Sequence, residues 1–400
     1  MRLNDTLRLQ IKSAAEGRFT LGSSQLGEAY LASNSDIVND TAYDWVDVLE
    51  GTQEMRLVRG VNAFAGVEAL PIASAGSLRV RTTNRILDPY NSPYMKPKKQ
   101  MRLITADGDL IFRGKVDNIS VDYRSDKSDP IISFDIVDPI ADLQQASTKL
   151  DSLSNNKTWT QRINEILNNS KKSTIIRNVV GGGTIKHGYW GDNRTVWEAL
   201  VLAQTTESGF IYFDRNNDMW AYGKGAFTPP PTPWLQFSNI DTNKLGYKDI
   251  IVDANSDSVI NEIQVSNAEL QSGEAAFEVL GPYRRNVSIN TYGAHVYNAN
   301  TNFYRGANNT DNTQVEAWAN NILNKNSTPQ IIIKEITWDG KKDVYSAALS
   351  DIGDTVAIEY VSEFLSIDRD LTIVGIEHLF TADDDKWRVT FTLFEQGRFS

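Results

Sequence analysis

The feature of this sequence that most constrains its fold is a repeated alternation of apolar and polar residues between Leu103 and Ile136. Alternation with a period of two puts successive side chains on opposite faces of a β-strand, and it therefore predicts half-buried strands. The dipeptide Asp107-Gly108 interrupts the pattern and can supply the positive φ angles of a tight hairpin turn. Because the apolar positions fall into successive segments, we expect a four-stranded meander here.

Three other segments show the helical period instead. Two of them begin with a capping box, in which Thr158 or Thr195 is followed three residues later by Gln or Glu. A third helix is predicted from Thr313, with Glu316 as the partner in its cap. Strict alternation returns at residues 387–393 and predicts a strand close to the end of the sequence. The expected fold class is therefore mainly β with an α+β insert.

The charge balance and the lack of cysteine exclude several classes of protein. With 40 Lys and Arg against 51 Asp and Glu, the net charge of -11 argues against a surface that coats nucleic acid. Without cysteine, disulfides, thiolate nucleophiles and Cys-ligated zinc are excluded. No apolar run approaches the roughly 20 residues of a membrane helix, and the first residues lack a signal-peptide core. We expect a protein that is made and kept in solution, without membrane insertion.

One basic cluster stands out in this acidic sequence. It consists of Lys96, Lys98, Lys99 and Arg102, and prolines interrupt its approach. We interpret it as a solvated turn, with a phosphate or protein contact as the alternative.

The sequence contains no recognisable catalytic motif. Its three histidines stand apart, and no HExxH, nucleophile elbow or phosphate-binding loop occurs, so we expect no catalytic residue, cofactor or metal. We interpret the histidines as exposed or loop residues and the glycines at 181–183 as a mobile connection. A glycosidase pair formed by Glu198 and Glu207 stays open, because aromatic residues that could stack on sugars lie nearby. Their spacing opposes it, since it places them on opposite faces of one helix.

Taken in order, stretches between Trp45 and Glu395 resemble the tail-hub family of long-tailed bacteriophages, also described as baseplate-hub or minor tail proteins. The resemblance lies in ordered patterns rather than in one invariant motif. The stretches that carry it include YDWVDVLEG at 43–51, GDLIFRGKVDNISVDY at 108–123, FDIVDPIADL at 134–143, TWTQRINEILNNS at 158–170, DSVINEIQVSN at 257–267 and LTIVGIEHLFTADDDKWRVTFTLFE at 371–395. Residues 1–40 match no pattern of the family.

The resemblance implies small β-barrel domains of the baseplate-hub type. The expected regions are a first barrel with an N-terminal extension at 1–147, an α+β insert at 148–235, a second α+β and strand region at 236–345, and closing strands of a second barrel at 346–400. Three copies would form a homotrimeric ring that joins the tail tube and the distal tail protein ring to tail-tip or receptor-binding proteins. Tape-measure protein and DNA would pass through its channel, the DNA without specific binding, in a virion assembled in the host cytoplasm.

Assembly of such a ring is expected through barrel faces and strand edges. The candidate interface residues are Val80, Arg81, Val356 and Ile358. Two alternatives stay open: a tail-associated polysaccharide or cell-wall hydrolase, and a carbohydrate-binding receptor module, which would need an exposed row of Trp and Tyr. We expect Trp197, Trp318 and Trp387 to pack in cores, because they lie on apolar stripes.

Overall fold

The protein is described by a computed structural model. The residues that it describes are 7–12, 45–47, 52–60, 75–81, 87–90, 95–123, 129–148, 156–170, 174–188, 194–253, 259–271, 274–329, 332–363, 365–381 and 386–395. Most of the N-terminal stretch that matches no family pattern lies outside the described residues.

The chain divides into two compact units, and the first is a β-sheet structure. It comprises Met1–Leu57, Ala75–Val137 and Leu379–Trp387. Its sheet contains β1 (Leu7–Lys12), β2 (Trp45–Asp47), the residues up to Leu57 of β3 (Thr52–Gly60), β4 (Ala75–Arg81), β5 (Gln100–Thr105), β6 (Leu110–Asp122) and β7 (Ile131–Val137). The strands pair antiparallel in the order β3-β4-β7-β6-β5-β1-β2. Apolar side chains at alternate positions, such as Leu103 and Phe134, are fully buried.

The hairpin at Asp107-Gly108 is confirmed, but the meander has three strands rather than four. Gly108 turns the chain with a φ angle of 98°. β6 then continues through Gly114, where a Cβ atom would lie 2.8 Å from the Cγ2 atom of Ile136 on β7. This glycine permits close strand packing and does not end the strand. A bulge between Val116 and Asn118 shifts the alternation, which explains why the sequence resembles two strands.

The second unit begins with a helical region around a small sheet. The unit comprises Val58–Ser74, Asp138–His378 and Arg388–Ser400. The first elements are α1 (Pro139–Gln145), β8 (Ser147–Thr148), α2 (Trp159–Asn168), β9 (Arg177–Val180), β10 (Arg194–Thr195), α3 (Val196–Glu207), β11 (Phe210–Phe213) and β12 (Met219–Tyr222). Both predicted capping boxes, at Thr158 and Thr195, are confirmed. The helices bury their apolar sides in one core that includes Trp159 and Leu200.

A second sheet of this unit is covered by a long helix. The next elements are β13 (Leu235–Ser238), β14 (Asp249–Asp253), β15 (Glu262–Gln271), β16 (Glu274–Arg284), α4 (Asn286–Tyr292), β17 (Val296–Thr301) and α5 (Thr313–Asn326). β15 lies between antiparallel β16 and parallel β17, and Trp318 and Leu323 of α5 share a core with this sheet. The predicted cap at Thr313 is wrong, because Asn312 precedes the helix and the Thr313 N–H instead donates to the Asp311 carboxylate at 3.0 Å.

The remaining strands close the second unit. They are β18 (Ile332–Asp339), β19 (Thr355–Val361), β20 (Ser366–Thr381) and β21 (Lys386–Glu395), with α6 (Val344–Leu349) between β18 and β19. Within this unit the strand order is β14-β18-β21-β20-β19-β13. The strand predicted at 387–393 is confirmed, since Trp387, Val389, Phe391 and Leu393 are all buried. The chain passes between the units within β3, β20 and β21.

The expected fold class, mainly β with an α+β insert, is confirmed by this order of elements. The boundaries at 147, 235 and 345 stay predictions, as does the closure of strands into barrels.

Candidate functional site

The residues predicted to form an assembly interface lie mostly inside the chain. Val80 is 1% exposed, and Val356 and Ile358 are 0% exposed, whereas Arg81 is exposed. β4 lies between β3 and β7, and β19 lies between β13 and β20, so neither strand presents a free edge. Val80 and Arg81 belong to the first unit, and Val356 and Ile358 to the second. Three of the four side chains therefore serve the core, and an interface role stays a prediction for Arg81.

The carboxylates proposed as a glycosidase pair have other roles. Glu198 accepts the N–H of Thr195 at 2.8 Å as the N3 residue of the capping box. Glu207, at the other end of the same helix, is 0% exposed. Nine residues of helix separate their backbones by about 13 Å along the axis. Neither the spacing nor the burial fits two acids that flank one glycosidic bond, which lie about 5 to 9.5 Å apart.

Glu207 is instead held by a buried histidine and by the glycine segment. Its Oε2 lies 3.2 Å from His187 Nε2, and both side chains are 0% exposed. Its Oε1 accepts the backbone N–H of Gly183 at 2.9 Å and that of Lys224 at 3.2 Å. A Cβ atom on Gly182 would lie 2.0 Å from the same oxygen. The glycine run, interpreted from the sequence as a mobile connection, is thus fastened to α3, and at Gly182 it needs the absence of a side chain.

The same network joins α3 to residues that follow β17. His187 Nδ1 lies 3.3 Å from the Asn302 amide oxygen, and the Thr206 hydroxyl oxygen accepts the Asn302 N–H at 2.9 Å. The Trp318 indole N–H donates to the Thr205 carbonyl at 3.0 Å. These groups are buried and hydrogen-bonded to one another, which is the condition under which polar groups are tolerated in a core. The network holds the helical region and the β15–β17 region of the second unit together.

A second network in the same unit is built around Asp351 and Asp354. Arg59, 4% exposed, donates from Nη1 to Asp351 Oδ1 at 2.7 Å. The Asp351 N–H donates to Asp354 Oδ2 at 2.7 Å. Burial, and to a smaller extent the negative charge of Asp351, raise the pKa of Asp354 to about 6, although the hydrogen bond from Asp351 and the nearby Arg215 and Arg59 oppose this rise.

Two of the three histidines are buried, and the interpretation of all three as exposed or loop residues is wrong for His378, which lies on a strand. His187 and His295 lie between regular elements, as expected. His378 is 0% exposed on β20, where burial and, to a smaller extent, the positive charge of Arg59 lower its pKa to about 3. His187 is buried against Glu207. Sequence reasoning missed these pairings because 20 residues separate His187 from Glu207 and 115 separate it from Asn302. No local spacing pattern reports contacts of that kind.

The three Trp residues expected on apolar stripes serve the core. Trp197, Trp318 and Trp387 are 7%, 1% and 0% exposed, which confirms the expectation for them. Trp234 and Tyr345 form an exposed pair with ring centroids 6.4 Å apart and planes tilted by 41°. Because the rings are inclined to each other, this pair does not form the flat platform on which a sugar would stack.

Neither a metal centre nor a membrane-spanning helix is found in the part of the chain that the structure describes. No three His, Asp or Glu side chains there converge into a set that could hold a metal ion. No helix among the described ranges combines the length and apolarity that crossing a bilayer requires.

Solved structures of tail proteins share this fold. No protein-family model and no curated protein sequence matches the chain. The tail protein from Neisseria meningitidis MC58 has a TM-score of 0.59 at 11% identity and covers 89% of this chain and 95% of its own. The 43 kDa tail protein of prophage MuSo2 from Shewanella oneidensis has a TM-score of 0.55 at 13% identity, with 99% and 98% covered. Prophage tail protein gp18 from Listeria monocytogenes EGD-e has a TM-score of 0.50 at 10% identity, with 96% and 94% covered.

These likenesses identify the fold. At identities of 10 to 13%, such likenesses establish the fold of the chain but not its activity. The chain has the fold of phage tail proteins, as the resemblance in sequence order implies.

Proposed function

We propose that this chain is a structural protein of a bacteriophage tail and that three copies form the hub ring at its tip. The observation that carries the proposal is the likeness in fold to three tail proteins, which extends over 89%, 99% and 96% of the chain. The ring would join the tail tube and the distal tail protein ring to the tail-tip or receptor-binding proteins. Tape-measure protein and DNA would pass through its channel during assembly and ejection.

The interior of the second unit supports a structural role. Its buried ionisable groups, including the His187–Glu207 pair and the Arg59–Asp351 pair, bond to the chain's own backbone and side chains. Such groups hold regions of the fold together. The side chains of Trp159, Trp318 and Trp338 likewise fill its interior.

Sedimentation velocity and native mass spectrometry of the purified protein test the proposal. A homotrimer has a mass of 3 × 44.7 = 134.1 kDa. Negative-stain images of the same sample should show a ring with an axial opening, and antibody labelling of virions should mark the distal end of the tail. A monomer at every protein concentration would contradict the ring.

Hydrolysis of purified cell wall or capsule polysaccharide would contradict a purely structural role. The assay should include Glu198→Gln and Glu207→Gln, because these were the acids that the sequence offered for such an activity. We expect no release of sugar by the wild-type protein or by either variant.

A further inference from the structure

The sheet of the first unit carries a concentration of positive charge on one face. Cross-strand pairing places Arg102 of β5 beside Gln10 of β1 on one side and Arg113 of β6 on the other. The next row pairs Lys115 with Gln100 and Lys12 with Trp45 of β2. Side chains at alternate positions share a face, so both rows lie on the same side of the sheet. We call this surface the basic face; its cations are Arg8, Lys12, Arg102, Arg113 and Lys115, with Lys99 at its margin just before β5. Asp47, which pairs with Gln10, is an anion on the same face, so the positive charges outnumber it there.

An aromatic ring lies within this charge. The Arg102 guanidinium lies 4.1 Å from the centre of the Trp45 ring, and Lys12 Nζ lies 5.8 Å from it. Burial lowers the pKa of Lys99, and repulsion from Lys96 and Lys12 lowers it further, which shows how closely these cations are grouped. A chain with a net charge of -11 has here a local excess of positive charge around a large apolar side chain. Arg and Trp are the residue types enriched at the centres of protein interfaces.

The second unit carries a surface of opposite charge. Glu359 of β19 is paired with Asp368 of β20, and Ala357 with Asp370, so these carboxylates project from one face. Exposed apolar side chains lie in the adjoining segments, since Ile240 and Val361 are 56% and 41% exposed. We call this surface the acidic face; its anions are Asp241, Glu359, Asp368 and Asp370.

The acidic face retains its excess of negative charge despite nearby cations. Lys244 forms an ion pair with Glu359 at 2.8 Å. The hydrogen bond to Glu359, and then the charges of Glu359, Asp241 and Asp368, raise the pKa of Lys244, which places all three anions close to it. One lysine thus lies close to three carboxylates, and Asp370 adds a fourth negative charge to the same face.

We propose that the basic face of one copy docks on the acidic face of a second copy. The two surfaces are complementary in charge and each has apolar side chains to bury, whereas each repels its own kind. Contact between two different surfaces is head-to-tail, and such contacts close into a ring when the rotation permits. The proposal rests on the proposed ring of identical subunits and names the surfaces that form it. DNA is the less suitable occupant of the basic face, because the chain as a whole repels polyanions.

Charge reversal on each face, and then on both, tests this docking. Arg113→Glu with Lys115→Glu reverses part of the basic face, and Glu359→Lys with Asp368→Lys reverses part of the acidic face. Each double variant should raise the Kd for self-association, measured by sedimentation velocity, by about 100-fold or more, because like charges then face each other. The variant with all four changes should regain association, since its faces are again complementary. Lys341→Glu with Lys342→Glu, which lie in the helical turn Gly340–Lys342 and not on a strand of either face, is the matched control and should associate as the wild type does.

Two further measurements distinguish a loss of docking from misfolding of the variants. Arg8 of the basic face is exposed, so Arg8→Glu should leave the circular dichroism spectrum unchanged and still weaken association. High salt should weaken the wild-type assembly without any substitution, because screening reduces attraction between charged surfaces.

Each outcome bears on a separate statement. A wild-type trimer that tolerates both reversals refutes the docking and leaves the trimer standing. A ring of another size that both reversals disperse supports the docking and refutes the trimer. A monomer refutes both. Binding of labelled duplex DNA by the wild type, lost on reversal of the basic face with no change in association, would assign that face to nucleic acid and overturn the proposal.

Discussion

Acidification should act on the second unit through two groups whose pKa values burial shifts in opposite directions. Burial lowers the pKa of His378 to about 3 and raises that of Asp354 to about 6. In an unfolded chain these groups titrate near 6.5 and 3.8. The difference between folded and unfolded states makes the free energy of unfolding depend on pH.

His378 should cause a loss of stability in acid. As the pH falls below about 6.5, the unfolded state binds a proton on this side chain and the folded state does not. The free energy of unfolding then falls by about 1.4 kcal/mol per pH unit, or about 5 kcal/mol by pH 3, since 6.5 − 3 = 3.5 units.

Asp354 should have the opposite effect. Its folded state binds a proton as the pH falls through about 6, before the unfolded state does so near 3.8. Stability therefore rises by about 1.4 kcal/mol per unit in this window, or about 3 kcal/mol in all, since 6 − 3.8 = 2.2 units. Between pH 6 and 3.8, the opposite changes that His378 and Asp354 cause in the free energy of unfolding cancel in the wild-type protein.

Variants that remove one of the two groups at a time reveal the two opposite contributions to stability. Between pH 6 and 4, the free energy of unfolding of Asp354→Asn should fall by about 2 to 3 kcal/mol relative to the double variant that carries both Asp354→Asn and His378→Asn. That of His378→Asn should rise by about as much. Urea unfolding followed by fluorescence of the nine Trp residues measures these differences. The double variant supplies the background from all other titrating groups. If all four proteins share one pH dependence, the assignment of opposite shifts to these two burials is refuted.

Three substitutions and the charge of the channel wall give further predictions. Trp387→Ala should cost about 3 to 5 kcal/mol in urea unfolding, because the ring is 0% exposed and stacks on Phe380 at 5.1 Å; a cost under about 0.5 kcal/mol would mean that it is exposed. Gly182→Ala should lower the melting temperature more than Gly183→Ala, because the new Cβ atom would lie 2.0 Å rather than 4.0 Å from Glu207 Oε1. Ile358→Lys should unfold the second unit and not merely separate folded copies, since it buries an unpaired charge; a native circular dichroism spectrum would contradict this. In an electron-microscopy structure of the ring, Asp and Glu should outnumber Lys and Arg on the channel wall by more than 51 to 40, because negative charge keeps DNA from adhering; a basic wall would contradict this.

Features that depend on neighbouring residues were determined by the sequence itself. The hairpin at Gly108 and the capping boxes at Thr158 and Thr195 follow from turn and cap chemistry within a few residues. The burial of Trp318 and Trp387 follows from the period of the apolar positions around them. The order of these signatures was also sufficient to indicate a tail-protein fold, because such an order reflects how the elements follow one another along the chain.

The tertiary structure decided which distant residues meet. Ile358 was expected at an assembly interface, yet β13 and β20 flank its strand and it lies in the core. His187 and Glu207 came together because the fold brings the glycine segment against α3. The basic cluster seen in the sequence became part of a charged face only through the strand register that places Arg102 beside Arg113. Local patterns fix periodicity and turns, whereas pairing and register depend on the packing of the whole unit, so contacts between distant residues are settled only when the chain folds.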